Sequence, residues 1–223
     1  MQIADFANFI REIPYEYQSF NIKRSIWGNE VNQKMIIDDI FSGIETISIS
    51  RFDLFQSAWH LQEFALKVLM WGYPTKGRGK NIENLLKHEN FEKLIRQLKM
   101  LEGKNDLTLA GIQEFQEIKG LGMSTITKFL YFKKVRIEKY PALIFDQKVL
   151  NALNNGRYRD FGIEKFKDIK SNNSVFDYMD YLSFMQSLAA RMNVAPDQLE
   201  LFLFEFGSNF KEPKGEEGDL DLM

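Results

Sequence analysis

The stretch from Phe115 to Asp146, FQEIKGLGMSTITKFLYFKKVRIEKYPALIFD, decides how the rest of the chain is read. An apolar helical turn at Phe115 and Ile118 precedes Gly120-Leu121-Gly122, and a second apolar stripe follows at Ile126, Phe129 and Leu130. Helical spacing on both sides of a two-glycine turn predicts a helix-hairpin-helix. Glycine reaches positive φ and lets another backbone come close, which a sharp interhelical corner and a bound phosphate both need. The turn feeds the start of the second helix, where unpaired N–H groups and the helix dipole favour an anion. A plain corner with no ligand would use the same glycines, since a G-x-G alone is common. Charge favours the ligand. Lys119 to Lys139 holds six basic residues, Lys119, Lys128, Lys133, Lys134, Arg136 and Lys139, against the single acid Glu138, in a chain of net charge −2. Such a local excess is the footprint expected for a phosphate backbone.

Working outward, composition bounds the class. A chain of 223 residues is long enough for one substantial core or two small lobes sharing an interface. No apolar run approaches the ~20 residues of a membrane helix. The start, MQIADFANFIREI, lacks the apolar core and small-residue cleavage site of a signal peptide, so a cytoplasmic protein is expected. With no cysteine, disulfides, thiolate zinc sites and cysteine-ligated iron–sulfur clusters are excluded. His60 and His88 are read as helix residues without a metal site around them. The 20 Phe, 8 Tyr and 3 Trp are mostly core, with enough left over to stack on a displaced base.

Almost every segment reads as helix, so an all-α, mainly helical fold with little or no sheet is expected. Helical spacing is seen over residues 3–12 and 31–42, while ISISRF at 47–52 alternates weakly and suits a short strand. Residues 52–71 read as one long helix through Phe55, Trp59, Phe64, Val68 and Trp71, stopped by Gly72 and Pro74. The loop WGYPTKGRGKN (71–81) carries Lys76, Arg78 and Lys80 with three glycines and no acid. It is either a solvated linker or a basic loop on a phosphate backbone. Residues 81–101 form a charged helix or helix pair, and 107–118 another helix with Asp106 as N-cap. YPALIFDQKVL (140–150) is an extended apolar link entering a helix at Asp146, with further helices near 175–192 and 196–206. One helical domain over 1–207 and an acidic, disordered tail over 208–223 are expected.

IKGLGMSTITKFLYF followed by PALIFDQKVL resembles the helix-hairpin-helix DNA glycosylases with a Gly-Pro-Asp signature, especially the 8-oxoguanine branch. The likeness covers residues 112–153 best, then QLELFLFEFG at 198–207. It implies two helical lobes with a cleft, double-stranded DNA as partner, and excision of a flipped, oxidised or modified purine in base excision repair. It places the family's essential aspartate at Asp146 and its hairpin at Lys119, Gly120, Leu121, Gly122, Met123, Ser124 and Thr125, with Lys119 where the family has proline. Lys148 falls at a phosphate contact, and Glu200 and Phe204 fall where the family grips the base. Backbone carbonyls of Gln116, Ile118 and Leu121 would hold a structural Na⁺ or K⁺; no other cofactor is implied.

One departure bears on mechanism. The lysine nucleophile of the strand-cleaving members falls on Ser124, whose hydroxyl cannot form a Schiff base. Lys128 lies one turn later on the same face, a shift that would misplace a nucleophile. A monofunctional glycosylase is therefore expected, in which Asp146 stabilises positive charge on the deoxyribose and orients water. Asp146 equally suits a plain helix N-cap, and both roles can coexist. The alternatives are a catalytically inactive nucleic-acid-binding subunit, such as one serving antiviral defence, and an interaction protein whose 119–139 charges are a solvated face.

Overall fold

The computed structural model describes residues 1–57, 60–77, 79–103, 106–167, 169 and 175–209. Twelve α-helices and five short strands form among these residues. The first half runs α1 (Ala7–Arg11), β1 (Ser19–Lys23), α2 (Arg24–Trp27), α3 (Lys34–Phe41), β2 (Thr46–Ser50), α4 (Arg51–Gln56), α5 (Leu61–Gly72), α6 (Asn81–Leu85) and α7 (His88–Met100). The second half runs β3 (Asp106–Leu107), α8 (Leu109–Gln116), α9 (Met123–Phe132), β4 (Arg136–Ile137), β5 (Tyr140–Pro141), α10 (Gln147–Asn154), α11 (Val175–Met192) and α12 (Pro196–Glu205). The expectations for the acidic tail beyond Asn209, for Trp59 and for Arg78 lie outside the described residues.

The fold is mainly helical, as the periodicities predict, and α9 is its centre. Nine of its ten side chains, Ser124 being the exception, are buried, so the helix is enclosed on every side. It packs against α5, α8 and α4, while α12 packs against α10 and α11. The buried side chains form one connected cluster from Ile3 to Leu203. Among the described residues no helix is long and apolar enough to cross a membrane.

Two small sheets supply the little strand structure among the described residues. β1 and β2 pair antiparallel with Ser19 opposite Ser50, and β4 joins β3 in parallel and β5 antiparallel. The strand suggested by ISISRF is therefore present, but its partner β1 lies in a segment whose mixed, aromatic sequence shows no clear alternation. The long helix expected over 52–71 is two helices, α4 and α5. Ser50 caps α4 by accepting from Asp53 N at 3.1 Å, and Asp53 accepts in return from Ser50 N at 2.8 Å. That reciprocal cap fixes the helix start at Arg51. Ser57 ends α4 after a turn and a half, and His60 becomes the N-cap of α5 rather than a residue inside a helix.

The cap of α8 is Thr108, whose hydroxyl accepts from Gly111 N at 3.3 Å, not Asp106. Asp106 is drawn into β3 and its carboxylate lies 3.4 Å from Arg136 Nε. The hairpin itself forms as expected, with Gly120 at φ +93° between α8 and α9. The close approach at Gly120 is to protein: a Cβ there would sit 2.3 Å from Asn81 O and 3.0 Å from Leu85 N. Gly120 thus seats the corner on α6, while a Cβ on Gly122 would meet nothing within 4 Å. Of the two hairpin glycines, Gly122 is the one with open space around it among the described residues.

Candidate active site

The apolar link before Asp146 is clamped from two sides. Tyr178 and Tyr181 of α11 donate to the carbonyls of Leu143 (2.9 Å) and Ile144 (3.0 Å), and Thr127 of α9 accepts from Phe145 N at 3.0 Å. Asp146 then begins α10. Its Oδ1 accepts from Lys148 N at 2.9 Å, so it is an N-cap, and its Oδ2 faces α9. There it lies 3.1 Å from Lys128 Nζ and accepts from Ser124 Oγ at 3.2 Å. Lys128 Nζ also donates to Ser124 Oγ at 2.8 Å and to Ser124 O at 3.1 Å. The N-cap role weighed for Asp146 thus uses one oxygen and leaves the other facing Ser124 and Lys128.

The same geometry shows where the Lys128 ammonium lies. The lysine stem runs back along α9 and delivers its ammonium beside the side chain of Ser124, one turn away. The one-turn shift is absorbed by side-chain length. Gly72 makes room for that stem, since a Cβ there would meet Lys128 Cδ at 2.9 Å and Cε at 3.1 Å. Lys128 is nearly fully buried and lies 5.6 Å from the centre of the Tyr73 ring.

Charge compensation sets the protonation states. Burial pushes the Lys128 amine down, but Asp146 beside it outweighs this and holds it above its ordinary value. Burial pushes Asp146 up, but Lys128, the Lys148 N–H and Ser124 hold the carboxyl below the usual range. At neutral pH the pair is ammonium and carboxylate. Because the folded-state pKa of Asp146 is depressed, its stabilisation is present above the unfolded aspartate value and is lost as pH falls through the folded value.

Asp146 and Lys128 line a cleft of about 200 Å³ with Phe20, Trp71, Glu200 and Phe204. Phe204, weighed as core, is only partly buried and faces this cleft. Glu200 is 1% exposed, with Oε2 2.7 Å from Arg51 Nη2. Arg51, also 1% exposed, donates from Nε to Gln18 Oε1 at 2.7 Å and from Nη1 to the Tyr131 hydroxyl at 3.1 Å. Its guanidinium lies 5.5 Å from the Trp71 ring and 5.3 Å from the Tyr131 ring. Sequence reasoning missed Arg51, Gln18 and Trp71 as site residues. The Ser-x-x-Asp at 50–53 marks where Arg51's helix starts, but no local signal pairs it with Glu200.

A second hollow of about 180 Å³ lies at the hairpin, lined by Gly120, Gly122, Ser124, Thr125, Tyr73 and Lys76 among others. It opens on the N-terminus of the ten-residue α9, beside Gly122. The side chains of Leu121, Met123 and Thr125 are buried, and Thr125 Oγ1 bonds Tyr73 OH at 2.6 Å. Any contact these three make with a phosphate would come through the backbone.

Of the clustered basic residues one is turned inward, and others are engaged with neighbouring side chains while staying exposed. Lys128 is inside, Arg136 faces Asp106, and Lys134 and Lys139 lie over the Phe55 and Tyr140 rings. Lys76 pairs with Glu30 and lies over Trp27. Lys148 stacks 4.1 Å from the Phe204 ring centre, with Glu205 at 3.9 Å. Lys80 is exposed.

A helical hairpin, an aspartate capping the helix beyond it and a cleft lined by that aspartate are brought together in this structure. Residues 14–204 match the family model described as "Putative 8-oxoguanine DNA glycosylase OGG-like protein", and the chain belongs to that family. No curated protein and no solved structure matches the chain.

Proposed function

We propose that this protein binds duplex DNA through the hairpin, takes a modified purine into the cleft and hydrolyses its N-glycosidic bond. The observation that carries this is the placing of an ionised, partly exposed carboxylate, Asp146, at the wall of an aromatic-lined cleft beside the hairpin helix. As the C1′–N bond breaks, positive charge grows on the sugar, and a fixed carboxylate in a dry site stabilises it far better than water does. Lys128 and Ser124 orient that carboxylate. Phe204 offers a stacking face and Glu200 a hydrogen-bond acceptor for the base. Gly122 and the start of α9 receive a phosphate, and the exposed Lys119, Lys80 and Lys148 are further candidates for backbone contacts.

The carbonyls of Gln116, Ile118 and Leu121 are neutral hard oxygens, the donor chemistry that suits Na⁺ or K⁺. Ile118 O accepts from Leu121 N at 3.0 Å and keeps a second lone pair for an ion.

A second reading is favoured by one observation, the reach of Lys128 to Ser124 and Asp146. In it the ammonium gives up a proton to the departing base, Nζ bonds C1′ as the glycosidic bond breaks, and ring opening leaves a Schiff base. The two routes separate cleanly on duplexes carrying oxidised or alkylated purines. Hydrolysis leaves abasic product that nicks only after alkali, and borohydride traps no complex. The amine route gives a trapped complex that vanishes in Lys128→Ala and grows with pH, because Lys128 is held protonated. No excision from any duplex would end both.

Gly72→Ala tests the alignment of the pair without touching either member. The added methyl drives against the Lys128 stem, so excision is expected to fall roughly ten- to a hundredfold. The melting temperature should fall by only a few degrees, since the overlap is with one side chain and overpacking of this kind costs about 1–3 kcal/mol. Unchanged excision in this variant would mean that the position of Lys128 is immaterial.

A further inference from the structure

The cleft is lined by a buried carboxylate that the protein leaves short of partners. Glu200 Oε2 lies 2.7 Å from Arg51 Nη2 as an ion pair, yet neither Oε1 nor Oε2 has a partner of hydrogen-bond geometry among the described residues, although the side chain is almost completely buried and lines the cleft. A buried acceptor left unmade is costly, and one facing a cavity marks where a ligand donor belongs. An ionised carboxylate can only accept. It therefore pairs with a base edge that presents N–H and not with one that presents bare ring nitrogen.

Arg51 decides whether that carboxylate exists and where it points. Pairing of Ser19 with Ser50 sets Gln18 and Arg51 side by side, and Arg51 N donates to Gln18 O at 3.0 Å. From there the guanidinium holds Gln18 Oε1 and Glu200 Oε2 at once, braced by Trp71 and Tyr131. Gln18 in turn donates from Nε2 to Glu205 Oε1 at 2.8 Å, tying the clamp to the end of α12. We infer that Arg51 is the positioning residue of the base cleft: it fixes Glu200 as an acceptor-only wall that selects bases with an N–H-donating edge. The inference rests on the proposed function for the cleft, but it concerns binding of the base and not bond cleavage.

The test uses free bases, so it does not depend on excision. Wild type, Glu200→Gln, Arg51→Lys and Arg51→Met proteins are titrated calorimetrically with two purines differing only in an exocyclic amine on the edge. Wild type should bind the amine-bearing base about tenfold or more tightly, in line with one hydrogen bond to a charged group. Glu200→Gln can turn its amide N–H into the cleft, so the preference should shrink to near unity or reverse. Arg51→Lys should keep most of the preference and Arg51→Met lose it, provided the latter folds. A purely structural Arg51 would weaken both bases alike and leave their ratio unchanged, which would overturn the inference. Equal binding of the two bases by wild type, binding of neither, or a ratio that survives in Glu200→Gln would also overturn it. Excision assays on modified duplexes judge the glycosylase reading separately.

Discussion

Asp146→Asn is expected to lower single-turnover excision by about 10²–10³-fold, the cost of removing one preorganised electrostatic partner from a transition state. The variant is chosen because asparagine caps a helix as well as aspartate does. The bond from Lys148 N to residue 146 can persist, and α10 should start where it does now. What disappears is the negative charge facing Lys128 and the developing sugar cation. Affinity for duplex should stay within a few-fold, since the hairpin hollow does not include residue 146. The pH profile should show the same division. With its pKa held low by Lys128, Asp146 remains ionised down through the ordinary carboxylate range of ~4, so the acid limb of wild-type excision should lie below it. Excision that survives Asp146→Asn undiminished would take Asp146 out of the chemistry.

Arg51→Met should be the most destabilising change at the cleft, lowering unfolding free energy by about 3–5 kcal/mol. The loss would come less from the missing attraction than from Glu200, left buried without its counter-charge. Burial pushes the Glu200 carboxyl up and Arg51 pulls it back only in part. For Arg51 itself burial pulls down, but Glu200 and Tyr131 more than offset it, so the guanidinium stays charged. Without Arg51 the carboxyl would take up a proton on folding. A folded-state pKa above the unfolded one means stability that falls as pH rises, so the deficit should shrink toward acidic pH. The double variant Arg51→Met, Glu200→Leu should recover much of the loss, because an apolar pair of similar volume avoids desolvating charge. Urea denaturation of the three proteins at two pH values measures all of this. A deficit independent of pH would show that Glu200 is not the group left exposed to the penalty.

The hairpin and Asp146 were legible because their signals are local. Two glycines between apolar turns, and an aspartate entering a helix, announce themselves within a few residues. Glu200 and Phe204 could be placed by the resemblance and are found in the cleft. The rest of the site depends on distance in sequence. Arg51 and Glu200 are far apart in the chain, and a buried arginine looks like any surface arginine until its carboxylate is found. β1 was hidden because its strand is only five residues long and is defined by pairing with β2, not by its own alternation. One member of the basic cluster at 119–139 is lost to the surface for a related reason. Linear charge counts ignore which face a residue takes, and α9 turns Lys128 inward. Lys128 was discounted by counting helical turns, whereas a four-carbon stem covers a turn easily once Gly72 clears its path.

The most direct measurement is a crystal structure of Asp146→Asn bound to a duplex carrying an oxidised purine. The expected result is the purine extruded between Phe204 and Lys128, its edge toward Glu200, its C1′ beside residue 146, and a backbone phosphate at Gly122. A duplex seated on another face, or with its modified base still stacked and the cleft empty, would contradict the assignment of this cleft as the site of base excision.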